Sequence, residues 1–199
     1  MRLLLNQLIR LLLAGTLTLF IAPHATAQVG FAMGSVYQRW MGFQPLAPTI
    51  GADINTPHFS NLAWWSPAQK TYVGNGWSLW EQGAAYVNRG SFGAGPAVLV
   101  RYTSNSQFEK ASIYPSVAFQ CRSEKWKVES FIHFRDPRTV NHGRGASIAV
   151  RRDLMSPHAH LGMSLRASVT ILKFSDALPE PYGSVVQFGM VFYRRSSTR

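Results

Sequence analysis

The histidines of this sequence include a pair whose residue type and spacing could support metal binding. His158 and His160 occupy alternate positions of the stretch HAHLGMSLRASVTILK. On a β-strand such residues share one face, as a metal-binding pair requires. His133 is a third histidine that could approach them. Since no further ligand is identifiable, we expect a polar histidine pair inside the fold, with no metal and no cofactor.

Two short segments carry polar side chains outside any regular pattern. PHFSN, residues 57–61, places His58 and Ser60 two residues apart, ahead of the apolar string LAWW. NHGRG, residues 141–145, is rich in glycine and basic residues, a composition suited to gripping a phosphate. A mobile loop that leads into a strand explains NHGRG equally well, so both alternatives stay open.

The elements that must position these residues follow from an apolar period of two. From His158 to Ile171, apolar residues at odd positions alternate strictly with polar or small residues at even positions. This pattern is typical of a half-buried β-strand. The same period recurs in FGAGPAVLVRYT, ASIYPSVAFQCR, WKVESFIHFR, ASIAVR and VVQFGMVFY, whereas no helical period persists beyond Met41. Together with GNGWSLWEQGAAYV, these segments predict seven strands from Gly74 onward.

One more strand is predicted before Gly74, and the sequence offers two candidates for it. They are GFAMGSVYQRW and PTIGADI. If PTIGADI supplies the strand, Ala32–Phe43 is left to form a short amphipathic helix. The longest loop then covers roughly residues 55–70. Short turns are predicted near Asn88–Ser91, Arg122–Lys125 and Asp153–Pro157, on the side of both chain ends, with longer loops on the opposite side.

This layout resembles that of the small outer-membrane β-barrels of the OmpA/OmpX type, across essentially the whole mature region. The resemblance lies in the architecture and implies an all-β, eight-stranded antiparallel up-and-down transmembrane barrel whose apolar side chains face lipid. A membrane-crossing strand needs about 9–11 tilted residues, which the stretch from His158 to Lys173 exceeds. Aromatic residues near strand ends are expected in interfacial girdles, namely Tyr102, Trp126, Phe174 and Tyr193.

A soluble periplasmic barrel of the lipocalin type is the rival interpretation, because its strands show the same alternation. In that case the face of Leu165 would point inward. The opposite face is rich in small polar residues, which favours a narrow lumen. It also carries one clear acid, Glu129, against six basic residues: Arg101, Arg122, Lys127, Arg135, Arg151 and Arg166. Because buried charges need partners, we expect several of these side chains to reach the rims.

PHFSN also resembles the His-x-Ser-Asn motif of the lipid A 3-O-deacylases, a family of outer-membrane barrels. The resemblance covers His58 to Asn61 and implies that His58 is the base and Ser60 the nucleophile that attacks an ester. That family carries its motif near the C-terminal end, whereas here it lies in the first part of the chain, without an identifiable acidic partner. We therefore favour a polar surface loop without catalysis, and keep lipid A deacylation as the alternative.

The N-terminal segment predicts export. Arg2 and Arg10 bracket a leucine-rich start, and LLLAGTLTLFIAP is an apolar core too short to span a membrane comfortably. ATA then ends at Ala27 as a small-x-small cleavage site. Residues 1–27 are thus predicted to be a signal peptide and residues 28–199 a single β-barrel domain. The lone Cys121 excludes an intramolecular disulfide, so packing or sheet closure must hold this domain together.

The charge balance indicates the kind of partner. The sequence has 20 Lys and Arg against 9 Asp and Glu, a formal net charge of +11. For an exported protein the counter-charge is anionic lipid, lipopolysaccharide or acidic polysaccharide, and we expect no nucleic acid. The sequence thus predicts a monomeric protein of the cell outer membrane with a structural or surface-exposed role.

Overall fold

The computed structural model describes residues 28–39, 46–71, 74–105, 109–134, 144–155, 161–173 and 182–194. Within these ranges no helix is long and apolar enough to cross a membrane. The regular elements are the strands β1 (Gln28–Arg39), β2 (Leu46–Asn55), β3 (Phe59–Thr71), β4 (Gly74–Ala85), β5 (Val87–Arg89), β6 (Phe92–Asn105), β7 (Glu109–Arg122), β8 (Trp126–His133), β9 (Arg144–Asp153), β10 (Leu161–Lys173) and β11 (Tyr182–Arg194).

Ten of these strands form one closed antiparallel up-and-down barrel. Strands that follow one another along the chain pair side by side, and β1 closes the ring against β11. The short strand β5 continues β4 along β6 in the same register, since Ala84 pairs with Ala97 and Val87 with Ala94. The hairpin of β5 and β6 therefore extends past Phe59, the first residue of β3, which pairs with Ala85.

The seven strands predicted from Gly74 onward are confirmed, but the predicted total of eight is wrong. Three strands precede Gly74, because both candidate segments pair in the sheet and the predicted loop at residues 55–70 is largely β3. The alternative amphipathic helix at Ala32–Phe43 is wrong over its described part. That part lies in β1, which hydrogen-bonds to β2 on one side and β11 on the other.

Both ends of the described chain and the short turns lie at one end of the barrel, which we call the terminal end. Gln28 pairs with Asn55 there, and Arg194 pairs with Val29. The turns at Thr56–His58, Gly90–Ser91 and Ser123–Lys125 lie at this end, as predicted for the last two. Gly90 has a φ of 62°, a left-handed conformation that glycine adopts without steric cost.

Apolar side chains cover the outside of the barrel. In β10, Leu165 is 46% exposed whereas its neighbour Ser164 is fully buried. This orientation is the reverse of that expected for a lipocalin-type barrel, in which the face of Leu165 would point inward. The exposed set runs around the wall and includes Phe31, Met33, Ile50, Trp65, Val98, Ile113, Phe119, Trp126, Ile132, Ile148, Leu165, Ile171, Phe188, Met190 and Phe192.

The inside of the barrel is filled with side chains. Val36, Leu99 and Tyr114 belong to one buried apolar cluster, in which the rings of Trp64 and Trp80 stack with centroids 5.4 Å apart. Tyr193, predicted for an aromatic girdle, points inward instead and is 3% exposed. The guanidinium of Arg151 lies over the Tyr193 ring at 4.9 Å, so this aromatic residue supports a lumenal charge.

Close contact between β1 and β11 leaves little room for a side chain at Gly34. A Cβ atom added there would overlap the carbonyl oxygen of Phe188, a backbone atom that can move only with its strand. We expect Gly34→Ala to lower the free energy of unfolding by about 1–3 kcal/mol, the usual cost of overpacking. Gly83→Ala is the control, because its nearest neighbours would be 3.9 Å away. Urea unfolding of both variants checks this; equal stabilities would contradict it.

Candidate functional site

Glu129 is the centre of a buried hydrogen-bond cluster near the terminal end. Its Oε1 accepts bonds from Ser60 Oγ at 2.6 Å and from Tyr86 Oη at 2.7 Å. The two hydroxyl oxygens lie 3.3 Å apart, but each already donates its proton to the carboxylate. Strands β3 and β8 and the residue joining β4 to β5 thus meet at a single oxygen atom. We call Ser60, Tyr86, Lys127 and Glu129 the Glu129 cluster.

Lys127 supplies the charge that Glu129 requires. Its Nζ lies 2.9 Å from Glu129 Oε1, with both side chains at most 7% exposed, and donates a bond of 2.7 Å to Asn55 Oδ1. The ammonium also lies 5.3 Å from the centroid of the Tyr86 ring. An ion pair removed from water needs further hydrogen bonds to its charged groups, and Ser60, Tyr86 and Asn55 supply three of them.

Asp53 forms a second buried ion cluster with two arginines. Its Oδ2 accepts a bond from Arg151 Nη1, and its Oδ1 lies 3.3 Å from Arg166 Nη1. The Asp53 side chain is 4% exposed. Arg151 also approaches Asp153, with Nε and Oδ1 3.4 Å apart. The lumenal face therefore holds a second acid besides Glu129, and both arginines are buried and paired with it.

A third polar group holds the turn before β3. Pro57 O accepts bonds from Asn88 Nδ2 at 2.7 Å and from Gln120 Nε2 at 2.9 Å, and Gln120 Nε2 also donates to Asn88 Oδ1 at 2.6 Å. His58 is exposed, and its Nδ1 lies 3.1 Å from Asn88 Nδ2 and 3.4 Å from Tyr86 O. The turn is thus tied to β5 and β7.

His58 and Ser60 make their hydrogen bonds to different groups. The His58 imidazole contacts Asn88 and Tyr86 at the rim, whereas the Ser60 hydroxyl points into the lumen and donates to Glu129. In this arrangement the Ser60 hydroxyl donates its hydrogen bond to a carboxylate that is also paired with Lys127. The roles of base and nucleophile for His58 and Ser60 stay a prediction, which requires the Ser60 hydroxyl to leave Glu129.

A chain of hydroxyl groups surrounds His133, which is 1% exposed. Its Nδ1 lies 2.7 Å from Ser116 Oγ, and its Nε2 bonds to Ser147 Oγ. Ser147 Oγ is in turn 2.8 Å from Thr170 Oγ1. Four neighbouring strands, β7 to β10, are thus connected through side chains inside the barrel.

The bonds of Ser116 fix the direction of this chain. Ser116 Oγ donates its only hydrogen bond to Tyr114 O at 2.9 Å, so it must accept a hydrogen bond from His133 Nδ1. In the neutral imidazole, Nε2 is then the acceptor, and the Ser147 hydroxyl donates to it. Thr170 donates to Ser147. Each hydroxyl group and the imidazole N–H in this series therefore donates one hydrogen bond. These bonds stabilise one arrangement of the four strands.

Removing the middle hydroxyl of this chain should be costly. Ser147→Ala leaves the acceptor nitrogen of His133 without its donor, and a buried unsatisfied polar group costs about 1–3 kcal/mol. Ser130→Ala is the control, since Ser130 is only half-buried in the neighbouring strand β8. We expect urea unfolding to show a clear loss for Ser147→Ala and little change for Ser130→Ala. Equal effects of the two would contradict the proposed chain.

The predicted histidine convergence can be followed only in part, because His158 and His160 lie outside the described residues, as do residues 141–143 of NHGRG. In the described ranges no group of three or more His, Cys, Asp or Glu side chains is placed to hold a metal ion. His133 itself bonds to serines. Arg135, Phe174 and the predicted signal peptide also lie outside the described residues.

Sequence reasoning missed Asp53 and Tyr86 as members of the lumenal clusters. Asp53 was within reach of the parity test: in PTIGADI it shares a face with Thr49 and Gly51, opposite Ile50 and Ile54. With PTIGADI accepted as a strand, an acid on the polar face follows directly.

Comparison with known proteins gives little further information. The chain matches no protein-family model, and no curated protein matches it. Among solved structures it is similar to the outer membrane protease OmpT from Escherichia coli, with a TM-score of 0.41 and 9% sequence identity, over 85% of this chain and 95% of that one.

Proposed function

We propose that this chain is an integral outer-membrane β-barrel protein with a structural or surface-exposed role. The observation that carries the proposal is the apolar outer wall. Large apolar side chains are between 36% and 82% exposed around the barrel, far beyond the scattered exposure of a water-soluble monomer. A lipid environment is the solvent in which such a wall is stable.

The position of charged side chains on the outer wall supports the same proposal. Arg144 and Lys173 pair across β9 and β10 at the end opposite the terminal end. Arg89, Arg152 and Arg194 are exposed at or near the terminal end. Cations at both borders of an apolar band suit the two headgroup regions of a bilayer.

One carboxylate departs from this pattern. Glu81, on the outward face of β4, accepts a bond of 2.7 Å from Asn61 Nδ2. Asn61 is the third residue of β3 from the terminal end, and its amide satisfies part of the carboxylate. Glu81 itself pairs with Val100, the ninth of the fourteen residues of β6, so its charge lies away from the ends of that strand. The bond from Asn61 lowers the cost of this position, and on a lipid face a Glu costs less than an Arg or Lys.

The packed lumen favours a role other than that of a pore. The buried apolar cluster, the Glu129 cluster and the Asp53 ion cluster occupy the space through which a solute would pass. Ion conductance in planar bilayers tests this part of the proposal: we expect no stable channel steps. Regular conductance steps would contradict it.

Cell fractionation tests the membrane assignment directly. We expect the mature protein to partition with outer membranes and to migrate faster on a gel when unheated, because a folded barrel resists detergent. Protease added to intact cells should spare the turn at Ser123–Lys125, which the proposed topology places on the periplasmic side. Recovery in the soluble periplasmic fraction would refute the proposal and favour a soluble binding barrel.

Lipid A deacylation through His58 and Ser60 is the alternative function and has its own test. Mass spectrometry of lipid A from cells with and without the protein would reveal a missing acyl chain. If the acyl pattern changes, Ser60→Ala should abolish the change, while Ser130→Ala should leave it intact. An unchanged pattern, or full activity of Ser60→Ala, would remove this alternative.

A further inference from the structure

A groove of about 650 Å³ lies on the outer wall where β8 to β11 and β1 meet. Its floor is a row of outward residues in register across these five strands. Trp126 pairs with Arg152, Arg152 with Leu165, Leu165 with Met190, and Met190 with Met33. The small side chain of Ala167, on the next row, leaves the groove open above Leu165.

The row rises from the terminal end towards the middle of the wall. Trp126 is the first residue of β8, beside the turn, whereas Met33 lies five residues beyond Gln28, the first residue of β1. Five residues measure about 16 Å along a strand. With a strand tilt of about 40°, this is about 12 Å along the barrel axis, or half of an apolar band about 25 Å tall.

The lower end of the groove is basic and aromatic. Arg152 is exposed, and its guanidinium lies 5.1 Å from the centroid of the Trp126 ring. Tryptophan favours the headgroup level of a bilayer. A guanidinium at that level is suited to bind a phosphate, since its planar donors match phosphate oxygens. The upper end is lined by apolar side chains such as Met33 and Met190.

We propose that this groove binds one phospholipid with an anionic headgroup from the leaflet at the terminal end, with its phosphate on Arg152 and one acyl chain along the row to Met33. The groove begins at headgroup level and ends near the bilayer centre, which is the path of one acyl chain. This inference rests on the proposed membrane location. A second copy of this protein is the competing occupant, but its binding would not explain why a cation lies at one end of the groove.

The experiment uses the full mature protein in vesicles of equal parts phosphatidylcholine and phosphatidylglycerol. Flotation with the vesicles is measured first, and the protein is then released in mild detergent for native mass spectrometry. We expect one retained lipid, with phosphatidylglycerol preferred. Arg152→Gln should reduce the preference about fivefold, the factor that one arginine near anionic lipid contributes. Ala167→Phe, which fills the groove, should remove the retained lipid of either kind.

Two variants outside the groove serve as controls. Arg89 and Ala94 are exposed near the terminal end of β5 and β6, so Arg89→Gln and Ala94→Phe should behave like the parent protein. Failure of the parent protein to float would overturn the membrane location, and this inference with it. Flotation without a retained lipid, or an equal effect of Arg152→Gln and Arg89→Gln, would overturn the groove alone. A dimer that Ala167→Phe dissociates would assign the groove to a second copy.

Discussion

Replacing Asp53 with alanine should lower the free energy of unfolding by about 3–5 kcal/mol, the cost of leaving a buried charge without its partner. The Asp53 carboxylate faces Arg151 through one oxygen and Arg166 through the other, and the three side chains are at most 10% exposed. Without it, two guanidinium groups repel each other inside a packed lumen. Urea unfolding in lipid vesicles measures the loss.

Asp153→Ala is the matched control for this prediction. Its carboxylate also approaches Arg151, but it is 18% exposed and lies 3.4 Å from the guanidinium. We expect a loss below about 1 kcal/mol, as for other partly solvated ion pairs. The triple variant Asp53→Leu, Arg151→Met, Arg166→Met should regain stability over Asp53→Ala, because it removes the buried charges together. Equal losses for Asp53→Ala and Asp153→Ala would contradict the buried ion cluster.

Local alternation was sufficient to predict most of the barrel. From Gly74 onward, each strand has a two-residue period that a single window of sequence reveals, and the seven predicted strands are present. The first part of the chain was harder. The segment PHFSNLAWWSP, which leads into β3, resembles a polar turn followed by aromatic residues, and the register of β3 against β4 shifts between Ser66 and Gln69. A strand that is interrupted by proline and a register shift loses the period on which such a prediction depends.

The lumenal clusters could not be predicted, because they join residues that are remote in sequence. Asp53 meets Arg151 across 98 positions, and Ser60 meets Glu129 across 69. The strand number determines which lumenal faces confront one another. With β3 taken as a loop and Asp53 not assigned to the lumenal face, Glu129 was the one clear acid identified for six basic residues, and we expected several of these to reach the rims. Two more strands place Asp53 opposite both.

The assignment of the outer wall to lipid predicts a large effect at Ile148. This residue lies near the middle of β9, four residues after Arg144, and is 48% exposed. Ile148→Arg should lower the free energy of unfolding by about 2–4 kcal/mol, because no water solvates a guanidinium near the bilayer midplane. On a wall that faces water, the same change would be harmless. Urea unfolding in vesicles therefore distinguishes the two environments.

Depth and orientation provide the controls for Ile148→Arg. Leu161→Arg, at the terminal end of β10, should cost only about 0–1 kcal/mol, since the side chain there reaches the headgroups. Ile148→Phe should be tolerated, because lipid accommodates apolar bulk. Ala149→Phe, on the adjacent residue that is 2% exposed, should cost about 1–3 kcal/mol through overpacking of the lumen. If Ile148→Arg were no more costly than Leu161→Arg, the wall would not face hydrocarbon, and the proposed membrane location would be wrong.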